Sequence, residues 1–217
     1  MGLIESKSIG ETRPMKMSRF AAAIKRLIDI LGSACGLVLL FPLFVFLGLL
    51  VKIDSDGPAI YRRRVVGPKG EFDAFKFRSM CNKAEAKLQA NPRLLAEFAK
   101  NYKLVNDPRV TRVGRILRIT SLDELPQLLN VLLGQMSLIG PRMITLAELS
   151  KYGRYSEIML SVRPGMSGYW QTEGRQKTSY EERVQMDLFY IQNWSLAFDM
   201  KILAKTPWKV LKREGAH

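Results

Sequence analysis

An α+β fold, mostly helical, is predicted by three features of this 217-residue sequence. An apolar run from Ile30 to Val51, about 22 residues, is long enough at roughly 1.5 Å per helical residue to cross a hydrocarbon core of about 30 Å. A strand-turn-strand pattern lies between Pro58 and Met80. Helix-type periodicity and helix-start signals fill most of the remainder, between turns rich in Gly, Pro and Arg.

Residues 1–19 are polar and basic, with Gly2, Gly10 and Pro14, and read as a flexible arm. A helix is expected to begin near Ser18 and to carry Lys25 and Arg26 into the apolar run, so that residues 20–52 form a membrane segment. Pro42 sits mid-run, where it removes a backbone donor and clashes with the carbonyl four residues earlier, which predicts a break there. Each arm then reaches about halfway across. Basic residues flank both ends, Arg19, Lys25 and Arg26 before and Lys52, Arg62, Arg63 and Arg64 after. A single span usually has its Lys/Arg excess on one side. Two readings therefore stand at this point: an ordinary kinked span, or a re-entrant helical hairpin that enters one leaflet and satisfies its backbone internally except at the break. A cleaved signal peptide fits poorly, because the run is too long and no small-x-small site follows it.

Residues 53–217 then read as one catalytic domain. Ala59-Ile60-Tyr61 and Phe75-Lys76-Phe77-Arg78 supply strands around a turn at Gly67-Pro68-Lys69-Gly70. Residues 82–104 read as two helices split at Asn91-Pro92, a lid or spacer. Two Gly/Pro/Arg turns follow, Ile139–Arg142 and Arg163–Gly168. Ser179 with Glu182 three residues on is a capping box opening a helix to about Trp194. The last helix, from Ser195 to about Arg213, sets Phe198, Ile202 and Trp208 against Lys201, Lys205 and Lys209, with Pro207 as a kink. An amphipathic helix in the membrane interface and a core-packed helix with a solvated basic face both explain it.

Lys and Arg number 34 against 20 acids, a net charge of +14, so the partner should be anionic: nucleic acid, an acidic membrane surface, or phosphate-bearing substrates. Cys35 and Cys81 have no metal-type spacing. The single histidine, His217, argues against His-based catalysis or a His-ligated zinc, which leaves carboxylates, lysines and hydroxyls. Asp123 and Glu124 are adjacent acids in an otherwise basic stretch. Ser121-Leu-Asp-Glu124 also matches a capping box, which is the commoner meaning of the pattern, and a carboxylate at such a helix start would be kept ionised by the positive end of the helix. Arg118, Arg142, Arg163 and Arg175 beside glycine-rich turns could offset charge on a transferring phosphoryl group.

The segments Lys76-Phe77-Arg78-Ser79-Met80, Asp107-Pro108-Arg109, Thr120-Ser121-Leu122-Asp123-Glu124-Leu125-Pro126-Gln127, Met136–Arg142, Arg163-Pro164-Gly165 and Gly174-Arg175 occur in that order. Together they resemble the monotopic bacterial sugar transferases, the polyprenyl-phosphate phosphoglycosyl transferases, from about residue 20 onward. The resemblance implies a two-step reaction on the cytoplasmic face of the bacterial inner membrane. Asp123 would attack the β-phosphate of a UDP-sugar, release UMP, hold the sugar phosphate covalently and pass it to undecaprenyl phosphate. It further implies Mg²⁺ with Asp123 as ligand, Glu124 as dyad partner, and Lys76 and Arg78 beside Arg118, Arg142, Arg163 and Arg175 in phosphate binding. Membrane phospholipids become partners, nucleic acid does not, and assembly as a homodimer stays open. The likeness also favours the re-entrant hairpin broken at Pro42. Three positions depart from the family pattern: Phe41 stands where a serine usually precedes the proline, Gln135 where an acid precedes Met136-Ser137, and Met143 where a proline follows Pro141-Arg142. The chain resembles the short catalytic-unit form, and galactose or glucose is the hexose expected from overall likeness.

Overall fold

Ser18 opens the first helix as its hydroxyl predicts. In the computed structural model, which describes residues 17–101, 104, 107–174 and 179–211, Ser18 Oγ accepts from the Ala21 amide at 3.1 Å and α1 runs Arg19–Leu39. Helix α2, Phe41–Asp54, follows after Leu40 alone, and the two axes are bent by 64°. The break thus falls two residues before the proline. Pro42 lies in the first turn of α2, where its missing N–H would have had no intrahelical partner, and its ring prevents α1 from running straight through. Among the described residues no single helix is long and apolar enough to cross a membrane; the bent pair taken together is, by length and composition. Val38, Leu39, Phe41, Phe46, Leu49 and Ile53 remain exposed on it. The arm up to residue 16 lies outside the described residues.

Lys25 and Arg26, counted above as flanking charges, instead reach inward. Arg26 donates to the carbonyls of Val131 and Leu132 at 2.7 and 2.8 Å, and Lys25 Nζ to Asp199 Oδ2 at 2.6 Å and the Ile139 carbonyl at 2.8 Å. Asp29 Oδ1, one turn on, accepts from Ser137 Oγ and the Leu138 amide at 3.0 and 2.9 Å. The polar end of α1 is therefore sewn into the rest of the fold.

Strands β1 (Ile60–Gly67) and β2 (Gly70–Phe77) form the expected antiparallel hairpin, with Gly70 at φ +98° in the turn. Short helices α3 (Ala84–Gln89) and α4 (Pro92–Asn101) split at the foreseen Asn91-Pro92. Then come α5 (Arg112–Ile119), a 3-10 turn at Leu122–Glu124, and α6 (Gln127–Leu132). The two Gly/Pro/Arg turns contain something the sequence reading did not expect. Strands β3 (Ser137–Ile139) and β4 (Gly165–Ser167) pair in parallel through them, Ser137 with Gly165 and Ile139 with Ser167. Between them lie α7 (Leu146–Leu149), a 3-10 segment and α8 (Ser156–Leu160). Helices α9 (Tyr169–Glu173), α10 (Tyr180–Gln192) and α11 (Leu196–Leu211) complete the described chain.

The Ser179–Glu182 capping box is present with both of its bonds. The Ser121–Glu124 box is not. Ser121 adopts left-handed backbone at φ +55° and makes no side-chain cap bond, and the Glu124 carboxylate that would close the box is taken by Lys76 from β2. The largest core joins α10, α8 and β3 around Leu188, Tyr190, Ile191 and Ile144. A smaller one packs Leu47 and Val51 of α2 on Phe77 and Leu117. Helix α11 packs Ile202 into the main core while Met200 and Trp208 are exposed.

Candidate active site

One buried amide sets the geometry. Asn130 of α6, with no exposed surface, accepts from the Phe75 amide at 2.9 Å and donates to the carbonyl of Asp73 and to Gln135 Oε1, each at 2.7 Å. It staples β2 to α6 and so brings Lys76 over the turn Leu122–Glu124, where Lys76 Nζ meets Glu124 Oε1 at 2.5 Å. From the other side α5 delivers Arg118, whose Nε donates to Ser79 Oγ at 2.8 Å. Gly114 permits this approach, since a β-carbon there would stand 2.0 Å from the Ser79 carbonyl oxygen.

Asp123 is 8% exposed. Burial pushes its carboxyl up to about 6, Lys76 pulls it back, Glu124 adds to the rise and Arg118 opposes it. The expectation that a helix terminus keeps Asp123 ionised is corrected: the turn is three residues long, and what favours the charge is Lys76 and Arg118. For Glu124, whose side chain keeps 36% exposure, burial raises the carboxyl too, but Lys76, Arg142 and Arg63 outweigh it and hold it below its ordinary value. The two acids are thereby driven apart, Glu124 fixed as an anion and Asp123 poised to titrate near neutrality.

Lys76→Met should therefore move Asp123 further up. The acid limb of a pH–rate profile is expected to shift to higher pH, each unit reducing the ionised fraction about tenfold on that side. An unmoved limb would remove Lys76 from the site.

Of the other predicted residues, Arg142 faces the dyad electrostatically and lies on the Trp170 ring, 4.9 Å from its centroid. Arg163 is exposed, and its backbone carbonyl is what crowds Gly140. Arg78 points away: it donates to the carbonyls of Val51 and Ser55 at 3.2 and 2.5 Å and so closes the end of α2. Arg175 lies outside the described residues. The sequence reading missed Arg63, which acts on both Glu124 and Arg118, and Arg183, whose guanidinium shares the Trp170 ring. Arg63 sits among three consecutive arginines with nothing to single it out; only the register of β1 does so.

Among the described residues no third His, Cys, Asp or Glu joins the pair. That donor set is too small for a protein-caged zinc or calcium. It fits Mg²⁺, which takes one or two carboxylates and completes its shell with phosphate oxygens and water.

A buried carboxyl raised toward neutrality, a lysine-paired anion beside it and the guanidiniums that act on both make up the cluster's chemistry. The family follows from comparison. Residues 20–213 match the model of the bacterial sugar transferase family, and the chain belongs to it. It is 45% identical over 207 residues to the undecaprenyl-phosphate galactose phosphotransferase of Salmonella typhimurium, covering 93% of this chain and 43% of that protein. Exopolysaccharide production protein ExoY of Rhizobium meliloti is 42% identical over 198 residues, 89% of this chain and 88% of the relative. The UDP-glucose:undecaprenyl-phosphate glucose-1-phosphate transferase of Escherichia coli is 37% identical over 203 residues, 89% and 41%. The chain thus spans less than half the length of the first and third of these relatives.

Proposed function

We propose that this chain transfers a hexose-1-phosphate from a UDP-sugar to undecaprenyl phosphate through a covalent adduct on Asp123, as a membrane step of exopolysaccharide synthesis. The observation that carries this is Asp123 itself, buried beside a lysine-paired Glu124 and within the field of Arg118. An Asp123 oxygen attacks the β-phosphorus; the bond from that phosphorus to the bridging oxygen breaks, and its electron pair leaves with UMP. A phosphate oxygen of the lipid then attacks the same phosphorus and the carboxylate departs. Splitting one displacement into two lowers each barrier. Arg118 and Arg142 offset charge on the phosphoryl oxygens. When bound, Mg²⁺ neutralises the diphosphate, and Asp123 with Glu124 would hold it.

Names of the relatives support galactose or glucose as the sugar. The test offers a panel of UDP-sugars with undecaprenyl phosphate and Mg²⁺ and follows UMP; a chain that releases none with any sugar is not this enzyme.

The 64° bend and the exposed apolar residues on both arms support a re-entrant hairpin in the inner membrane with the site on the cytoplasmic face. Tags at both termini should be accessible from the same side of sealed vesicles. Opposite-side tags would make the pair a spanning helix.

A further inference from the structure

Arg142 shares the Trp170 ring with Arg183 of α10, whose guanidinium carbon lies 4.7 Å from the same ring centroid. Two like charges thus stand within about 10 Å of each other, close enough to repel. Cation–π attraction holds each head on the indole but leaves the net charge in place. Among the described residues neither guanidinium is ion-paired with a carboxylate. Asp187, buried on the same helix, has both oxygens engaged: Oδ1 with the Arg142 backbone N–H at 3.1 Å, Oδ2 with the Tyr152 hydroxyl at 2.9 Å. It anchors the Arg142 backbone without neutralising the two heads at contact. Among the described residues, two N–H donors of the cluster, Arg183 Nε and Trp170 Nε1, are buried with no partner. Buried donors left unmatched are costly, so they point to an acceptor that arrives from outside. Arg142 ties the cluster to the reaction centre, being one of the charges that hold Glu124 down.

We propose that Arg183, with Arg142 across Trp170, forms a phosphate clamp; this rests on the transferase reading above. Guanidinium forks pair with phosphate oxygens, and the indole N–H adds a neutral donor. Two reactants bring phosphate to the site, the diphosphate of the UDP-sugar and the monophosphate of the polyprenyl acceptor. Arg183 binds phosphate and takes no part in bond making.

The test is calorimetry on the full chain in detergent with two probes, UDP and a short-chain polyprenyl phosphate. Arg183→Gln is expected to weaken one of them roughly 10- to 100-fold, with Arg183→Lys recovering part of the loss. Its melting temperature should hold or rise, since a repelling charge is gone. Trp170→Phe, which keeps a ring and deletes only the indole donor, should weaken the same probe by a smaller factor, roughly threefold to tenfold. Weaker UDP binding assigns the clamp to the donor, and weaker polyprenyl phosphate binding assigns it to the acceptor. Unchanged affinity for both probes, or a fall in melting temperature with affinity intact, overturns the clamp. The transferase reading fails separately: UMP release by Asp123→Asn removes the nucleophile while the binding result still stands.

Discussion

Asp123→Asn is expected to reduce UMP release by about three orders of magnitude or more and, at the same time, to leave the protein at least as stable at pH 7. The loss of rate follows from the nucleophile: an amide oxygen does not form the acyl phosphate that splits the reaction in two. The stability follows from linkage. The native carboxyl titrates near 6, above its ordinary value of 3.8, so the folded state disfavours the ionised form. This penalty is absent at low pH, grows as pH rises from about 4 to about 6, and is complete above that. At pH 7 a neutral isostere removes it, a gain on the order of 1–3 kcal/mol. The same sign predicts wild-type stability falling across that pH window while the variant stays flat in this respect. Thermal unfolding at several pH values, with radiolabelled UMP release alongside, reads both halves. Turnover within tenfold of wild type would end the covalent mechanism, and a lower melting temperature at pH 7 would contradict the burial argument.

Gly165→Ala should unfold the protein or come close to it. A β-carbon at 165 would stand 2.1 Å from the Gly140 amide nitrogen and 2.4 Å from the Ser167 carbonyl oxygen, backbone atoms that cannot swing aside. The pressure falls on the parallel β3–β4 pair, where the Gly140 amide donates to the Ser167 carbonyl at 3.0 Å and the Gly165 amide to the Pro141 carbonyl at 2.9 Å. Forced backbone movement in a packed core costs about 2–4 kcal/mol or more, a large part of a domain's stability. Any variant that does fold should also be slow, because Arg142 is bridged to Gly165 and moves with it. A melting temperature within about 2 °C of wild type would show that the strands do not meet as described.

Elements with local causes were legible. The hairpin was, because Gly67-Pro68-Lys69-Gly70 makes the turn; so were Ser18 and Ser179, whose hydroxyls cap the next turn without outside competition. Ser121 carries the same pattern as Ser179 and behaves differently: its backbone is left-handed, and a lysine 48 positions upstream holds Glu124. No local pattern encodes that. The β3–β4 pairing was hidden for a related reason: three-residue strands have no readable period, and what joins them is the absence of side chains at Gly140 and Gly165.

The site was half legible. Asp123, Glu124 and Arg118 sit close together in sequence, yet taken alone the acids read first as a helix cap, and only the run of separate motifs around them points to a site. Arg78 shows the limit of motif adjacency: it lies one residue past the end of β2, strand alternation no longer governs it, and it turns to α2 while Lys76 turns to the dyad. Arg183 and Trp170 become neighbours of Arg142 only through the packing of α9 and α10.

Lys25 bonds Asp199, which also accepts from Tyr190 at 2.6 Å and from the Trp194 indole at 3.0 Å. This knot joins partners 174 residues apart in the chain. During synthesis at roughly 5–20 residues per second, the early helix therefore waits on the order of ten seconds or more for its mate to leave the ribosome. Until then its lysine lacks its carboxylate partner, while Asp29 one turn on waits only for Ser137 and Leu138. Docking of this helix is thus completed late in synthesis, and a ribosome stalled before Asp199 would leave it short of one tether and more open to chaperones or proteases.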